Sequence, residues 1–199
     1  MRRTLLAAVL LVATTFVSGC AASPSSSDTS TTSGSEETTA TSLVVTSSAF
    51  QNGKPIPMKY AGTGVGGDGE SVPLSWTGAP EGTRTFALLC VDRNPAANNF
   101  VHWAAINIPA TVNSIPDGAS TVGMIELGAT ELTNSAKIAG YTGPAPPAGA
   151  GAHKYDFIIF ALNTDTVAMP AAPTAAAFEE ALKTLTITSA KITGTFETK

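Results

Sequence analysis

The sequence predicts a mainly β domain with a short helix near its C-terminal end. Three observations predict it. Nearly continuous apolar runs at Thr85–Val91, Phe100–Ile108 and Tyr155–Leu162 have the length and composition of strands covered on both faces. Glycine- and proline-rich turns punctuate the chain between them. Apolar residues at helical spacing occur at Ala177, Phe178, Ala181 and Leu185, after Pro173 and with Thr174 as an N-cap.

The elements follow in chain order. Leu43–Thr46 and Ser47–Phe50 begin a β-branched strand, and Gln51-Asn52-Gly53-Lys54 is a turn. Pro57–Tyr60 has the pattern of a short edge strand. Gly62–Ser71 is a polar, glycine-rich loop, and Leu74-Ser75-Trp76 a second short strand. The Gly78–Thr83 turn leads into the first apolar run. The helix covers Thr174 to about Leu185, and Lys191–Thr198 closes the chain as a strand. No repeat of fixed period is visible.

The N-terminus has its own logic. Arg2 and Arg3 precede a 13-residue apolar stretch, Leu5–Val17, and Val17-Ser18-Gly19 lead into Cys20. That order of charged, apolar and small residues is that of a secretory signal. The stretch falls short of the roughly 20 apolar residues that span a bilayer. Its V-S-G-C ending resembles the lipobox of bacterial lipoproteins, which implies diacylglycerol on the Cys20 thiol, cleavage before it and acylation of the new amine. Two or more acyl chains anchor stably where one does not. Ala21–Ser42 is almost wholly Ser, Thr, Ala and Gly, too polar to bury a core. As a flexible coil it would span about 26 Å. The expected organisation is a signal peptide at 1–19, a lipidated cysteine and disordered tether at 20–42, and one domain at 43–199, held outside the cytoplasm on a membrane by its lipid. With Cys20 lipidated, Cys90 has no partner and reads as a buried core thiol.

Charge excludes some functions. The chain carries −4, and without Arg2 and Arg3 its 9 basic and 15 acidic residues leave −6. No cluster of Lys and Arg is present to neutralise successive phosphates, so nucleic acid is not an expected partner. P-loop, dinucleotide-binding, H-E-x-x-H and paired C-x-x-C motifs are absent, and no cofactor or metal is expected.

Motifs spread across the domain carry a family resemblance. They are Val72-Pro73-Leu74-Ser75-Trp76, Gly78-Ala79-Pro80, Phe86–Asp92, His102-Trp103, Asn107-Ile108-Pro109, Gly140–Pro144 with Pro146-Pro147, Gly149–Tyr155 and Gly194–Glu197. In this order the chain resembles the phosphatidylethanolamine-binding protein family, in its bacterial Raf-kinase-inhibitor-like branch. The resemblance implies two stacked β-sheets, a short helix near the C-terminus and a small pocket for anionic groups such as a phospholipid headgroup. It places Asp92, His102 and His153 in that pocket, with Tyr141 and Gly143 in a wall loop and Asn94 at the mouth.

The chemistry suits those residues. An imidazole has an ordinary pKa near 6.5 and can donate a hydrogen bond and gain charge as an anion arrives. A neighbouring carboxylate can fix its tautomer. The chain's two histidines both fall at these positions. The chain departs from the family's D-P-D-x-P pattern with Asp92-Arg93-Asn94-Pro95. Asn94 removes a carboxylate from the mouth, and Arg93 adds a positive charge if it faces inward. Both changes should favour an anion over a cationic amine. The expected function is therefore ligand binding without catalysis. The alternatives are inhibition of a protease or other partner through the surface, and a metal-dependent or acid–base hydrolase.

Overall fold

The computed structural model describes residues 42–199. The signal peptide at 1–19, Cys20 and the tether as far as residue 41 lie outside the described residues. Strands β1 (Val44–Thr46), β2 (Leu74–Thr77) and β5 (Ser114–Ile115) form an antiparallel sheet in the order β1-β2-β5. Strands β3 (Thr85–Asp92), β4 (Val101–Pro109), β6 (Thr130–Glu131), β7 (His153–Leu162) and β8 (Thr186–Phe196) form a second, in the order β6-β4-β3-β7-β8. Helices α1 (Val122–Glu126) and α2 (Ala175–Leu182) complete the fold.

The two sheets stack face to face. Val45, Leu74 and Trp76 of the small sheet share a core with Phe86, Leu88, Trp103 and Phe157 of the large one. Trp76 meets Phe86 edge-on at 5.3 Å, a favoured aromatic geometry. On the other face of the large sheet, Leu89, Val91 and Phe160 pack against Phe178 and Leu182 of α2. β3 lies between β4 and β7, so all eight of its residues are buried. Burial on both faces explains the unbroken apolar run in its sequence. At the start of α2, Thr174 accepts a hydrogen bond at its hydroxyl from the Ala177 N–H (3.2 Å), a cap that contributes about 1 kcal/mol.

Several local expectations are corrected. Pro57–Tyr60 is not a strand: Met58–Tyr60 is a single 3₁₀ turn, closed by the Ala61 N–H on the Met58 carbonyl. The opening strand stops at Thr46 because the Ser47 hydroxyl donates to the Pro73 carbonyl and accepts from the Ala49 N–H, which turns the chain. α2 ends at Leu182, where the Thr186 hydroxyl donates to the freed Leu182 carbonyl. β8 starts at Thr186 and ends at Phe196, earlier at both ends than the expected Lys191–Thr198. β5, β6 and α1, of two, two and five residues, carry no periodic signal in the sequence.

Candidate ligand pocket

Strand polarity gathers the site. β3 runs antiparallel to both β4 and β7, so its C-terminal end lies beside their N-terminal ends. Asp92 is the last residue of β3, His102 the second of β4 and His153 the first of β7. A β-bulge then aims one of the rings. Cys90 pairs with Trp103 and Val91 with Val101, so His102 is the extra residue between them. An extra residue breaks the in-and-out alternation. His102 can thus turn to the end of the sandwich while Trp103 stays in the core.

Both imidazoles are locked through the same nitrogen. His102 Nδ1 is 2.7 Å from the Thr142 carbonyl oxygen. A carbonyl only accepts, so Nδ1 carries the proton. The Thr142 N–H donates in return to the His102 carbonyl (2.9 Å), clamping strand to loop. His153 Nδ1 lies 2.6 Å from Asp92 Oδ2, a buried pair. Asp92 Oδ1 accepts from the Asn94 N–H at 2.8 Å. The two Nε2 atoms are therefore the rings' uncommitted groups, and His153 Nε2 is buried without a partner. Such an orphaned polar atom is uncommon and calls for an explanation.

Tyr155 joins the two rings. It is edge-on to His102 (5.1 Å between centroids) and stacked near His153 (6.5 Å). Its hydroxyl pKa is raised by burial and further by the charge of Asp92. Burial pushes the pKa of His102 below its ordinary value, although the Thr142 carbonyl and Asp92 pull it up; His153 adds to the lowering. His102 is thus held towards its neutral form. Asp92, His102, His153, Tyr155, Thr142 and Gly143 are among the residues lining a cavity of about 250 Å³.

Other named residues lie elsewhere. Tyr141 does not form the wall: its hydroxyl donates to the Tyr60 carbonyl at 2.8 Å and its ring packs edge-on to Trp103, beneath the loop. Asn94 does not line the cavity. Its side-chain oxygen caps the Pro95–Ala97 3₁₀ turn by accepting from the Ala96 N–H. Arg93 turns away from the pocket to Glu179 of α2 (2.5 Å) and Asn99, and its Nε is 3.8 Å from Asp156. Tyr155 and Thr142 were missed as lining residues. Tyr155 was within reach, because residues two apart on a strand share a face and His153 precedes it by two. Thr142 carried no such signal. Cys90 is buried, and burial raises its thiol pKa well above the ordinary range. Among the described residues, no three His, Cys, Asp or Glu side chains converge as a metal site.

Residues 46–197 match the family model described as phosphatidylethanolamine-binding protein. The chain belongs to the phosphatidylethanolamine-binding protein family. It is 33% identical over 160 residues to the UPF0098 protein YbcL of Escherichia coli (strain K12), covering 78% of this chain and 87% of that protein. The crystal structure of E. coli YbcL superposes with a TM-score of 0.72 and 33% identity over 79% of this chain and 99% of that one. LppC of Mycobacterium tuberculosis (strain ATCC 25618 / H37Rv), a candidate lipoprotein by name, is 30% identical over 153 residues, covering 77% of this chain and 71% of that protein. The YbcL structure shares the fold described above.

Proposed function

We propose that this family member binds a small oxyanion between His102 and His153, as an extracytoplasmic domain tethered to a membrane through Cys20, without catalysing a reaction. One observation carries the pocket reading. Both Nδ1 atoms are committed to fixed acceptors, while among the described residues His153 Nε2 is buried without a partner and the hydrogen bond of the His102 ring is made through Nδ1, not Nε2. An oxyanion offers acceptor oxygens to such ring edges, and a second proton on His102 makes its Nε2 a donor to it. The reading needs no nucleophile. The tether reading rests on the charged, apolar and small residues that lead into Cys20, and on the name of LppC.

Binding is expected to take up protons. His102 has a lowered pKa when the pocket is empty, because burial disfavours its charged form. A bound oxyanion favours that form and raises the pKa again. Affinity therefore rises as pH falls from 8, and levels off below the lowered free-state value, which lies under 6.5. The slope is at most about tenfold per pH unit for each proton taken up. Sulfate is the suitable probe because it does not itself titrate between pH 5 and 8. Calorimetry in buffers of different ionisation enthalpy reads the proton count. Sulfate binding whose affinity and heat are both independent of pH and buffer would contradict this reading. For the tether, Cys20→Ser is expected to move the protein from the membrane to the soluble fraction, and equal membrane retention of both forms would remove it.

A further inference from the structure

The floor of the cavity is polar and its wall is not. Around the imidazoles stand Phe100, Pro146 and a set of alanines: Ala96, Ala97 and Ala145. Small side chains at these places leave room above the floor. No Lys or Arg is among the lining residues, and Arg93, beside the site in sequence, is paired with Glu179. Asp92 is the one carboxylate in the lining, and both its oxygens are occupied, one by His153 Nδ1 and one by the Asn94 N–H. The Thr142 carbonyl accepts from His102. A ligand ammonium entering this space would find no free carboxylate to replace its water, and desolvating a cation without a partner is costly. An aromatic or short alkyl group would instead bury its surface against Phe100, Pro146 and the alanines.

We propose that the pocket selects oxyanions bearing a small apolar substituent, and discriminates against zwitterionic amino-phosphates such as the ethanolamine headgroup in the family's name. This inference rests on the oxyanion reading above and adds the class of substituent. Arg93 and Asn94 do not set this preference, because neither side chain lines the cavity; the apolar wall and the saturated Asp92 supply the reason.

Calorimetry with the purified full chain, at one fixed pH, compares three probes: phenyl phosphate, inorganic phosphate and phosphoethanolamine. Phenyl phosphate is expected to bind at least about tenfold more tightly than inorganic phosphate, from burial of its ring. Phosphoethanolamine is expected to bind no more tightly than inorganic phosphate. A rim variant tests the cause. Ala96 is exposed, so Ala96→Asp is tolerated by the fold, and the new carboxylate is expected to improve phosphoethanolamine relative to phenyl phosphate by about threefold or more. Phosphate binding with phosphoethanolamine equal to or above phenyl phosphate overturns the inference and leaves the oxyanion reading standing. An unchanged ratio of phosphoethanolamine to phenyl phosphate affinity in Ala96→Asp also overturns it. Absence of binding by all three probes overturns both.

Discussion

Replacing His153 by alanine is expected to weaken oxyanion binding by about 100-fold and to lower folding stability by about 3 kcal/mol. The two losses have different origins. Stability falls because Asp92 is only 3% exposed and its Oδ2 would lose the ring N–H at 2.6 Å, leaving a buried carboxylate oxygen without its donor. Hydrogen bonds to charged groups are worth about 1.5–3 kcal/mol, and the ring's packing on Tyr155 is lost as well. Affinity falls because Nε2 is gone, and losing one charge-assisted donor weakens binding by about 100-fold. His153→Asn separates these effects. The asparagine amide occupies the place of Nδ1 and can still donate to Asp92, but nothing replaces Nε2. It is expected to recover most of the stability and none of the affinity. Urea denaturation and sulfate calorimetry on the two variants check this. Wild-type affinity in His153→Asn would place the ligand elsewhere.

Gly143→Ala is expected to be at least as damaging to the fold, at about 3 kcal/mol or more. A β-carbon at this position would lie 2.5 Å from the Gly62 nitrogen and 2.5 Å from the Tyr60 carbonyl oxygen, and in contact with the Ala61 carbonyl carbon. All three are backbone atoms, so no side chain can swing aside. The loop is also fastened on both sides of Gly143: the Thr142 N–H donates to His102, and the Pro144 carbonyl accepts from Gly62. Relief of the clash strains these bonds, and a shift of Thr142 also moves the carbonyl that holds the His102 ring. Gly64→Ala is the matched control, because nothing lies within 4 Å of its added carbon. Equilibrium unfolding of both variants is the measurement. A loss below about 1 kcal/mol for Gly143→Ala would mean that the loop can shift without cost.

Much of the fold was legible because burial on both faces writes itself into composition. The three long apolar runs became β3, β4 and β7 with ends displaced by at most two residues. Thr174 was readable as a cap because its donor, Ala177, is only three residues away. Two- and five-residue elements such as β5 and α1 were not legible, since they are too short to complete a period. At the site, the resemblance named Asp92, His102, His153 and Gly143, and all four line one cavity. It also named Tyr141 and Asn94, which neighbour the cavity in sequence and spend their side chains elsewhere.

The sequence alone determined the strands that build the sandwich, the histidines and the carboxylate available to a site, and the family to which they belong. Tertiary structure alone decided which ring nitrogens remain free, that Asp92 has no spare oxygen, and that the Arg93 charge faces α2. The reason is range. Composition and periodicity report neighbours a few residues apart, whereas His102 meets its acceptor 40 residues away, His153 meets Asp92 across 61, and Arg93 meets Glu179 across 86.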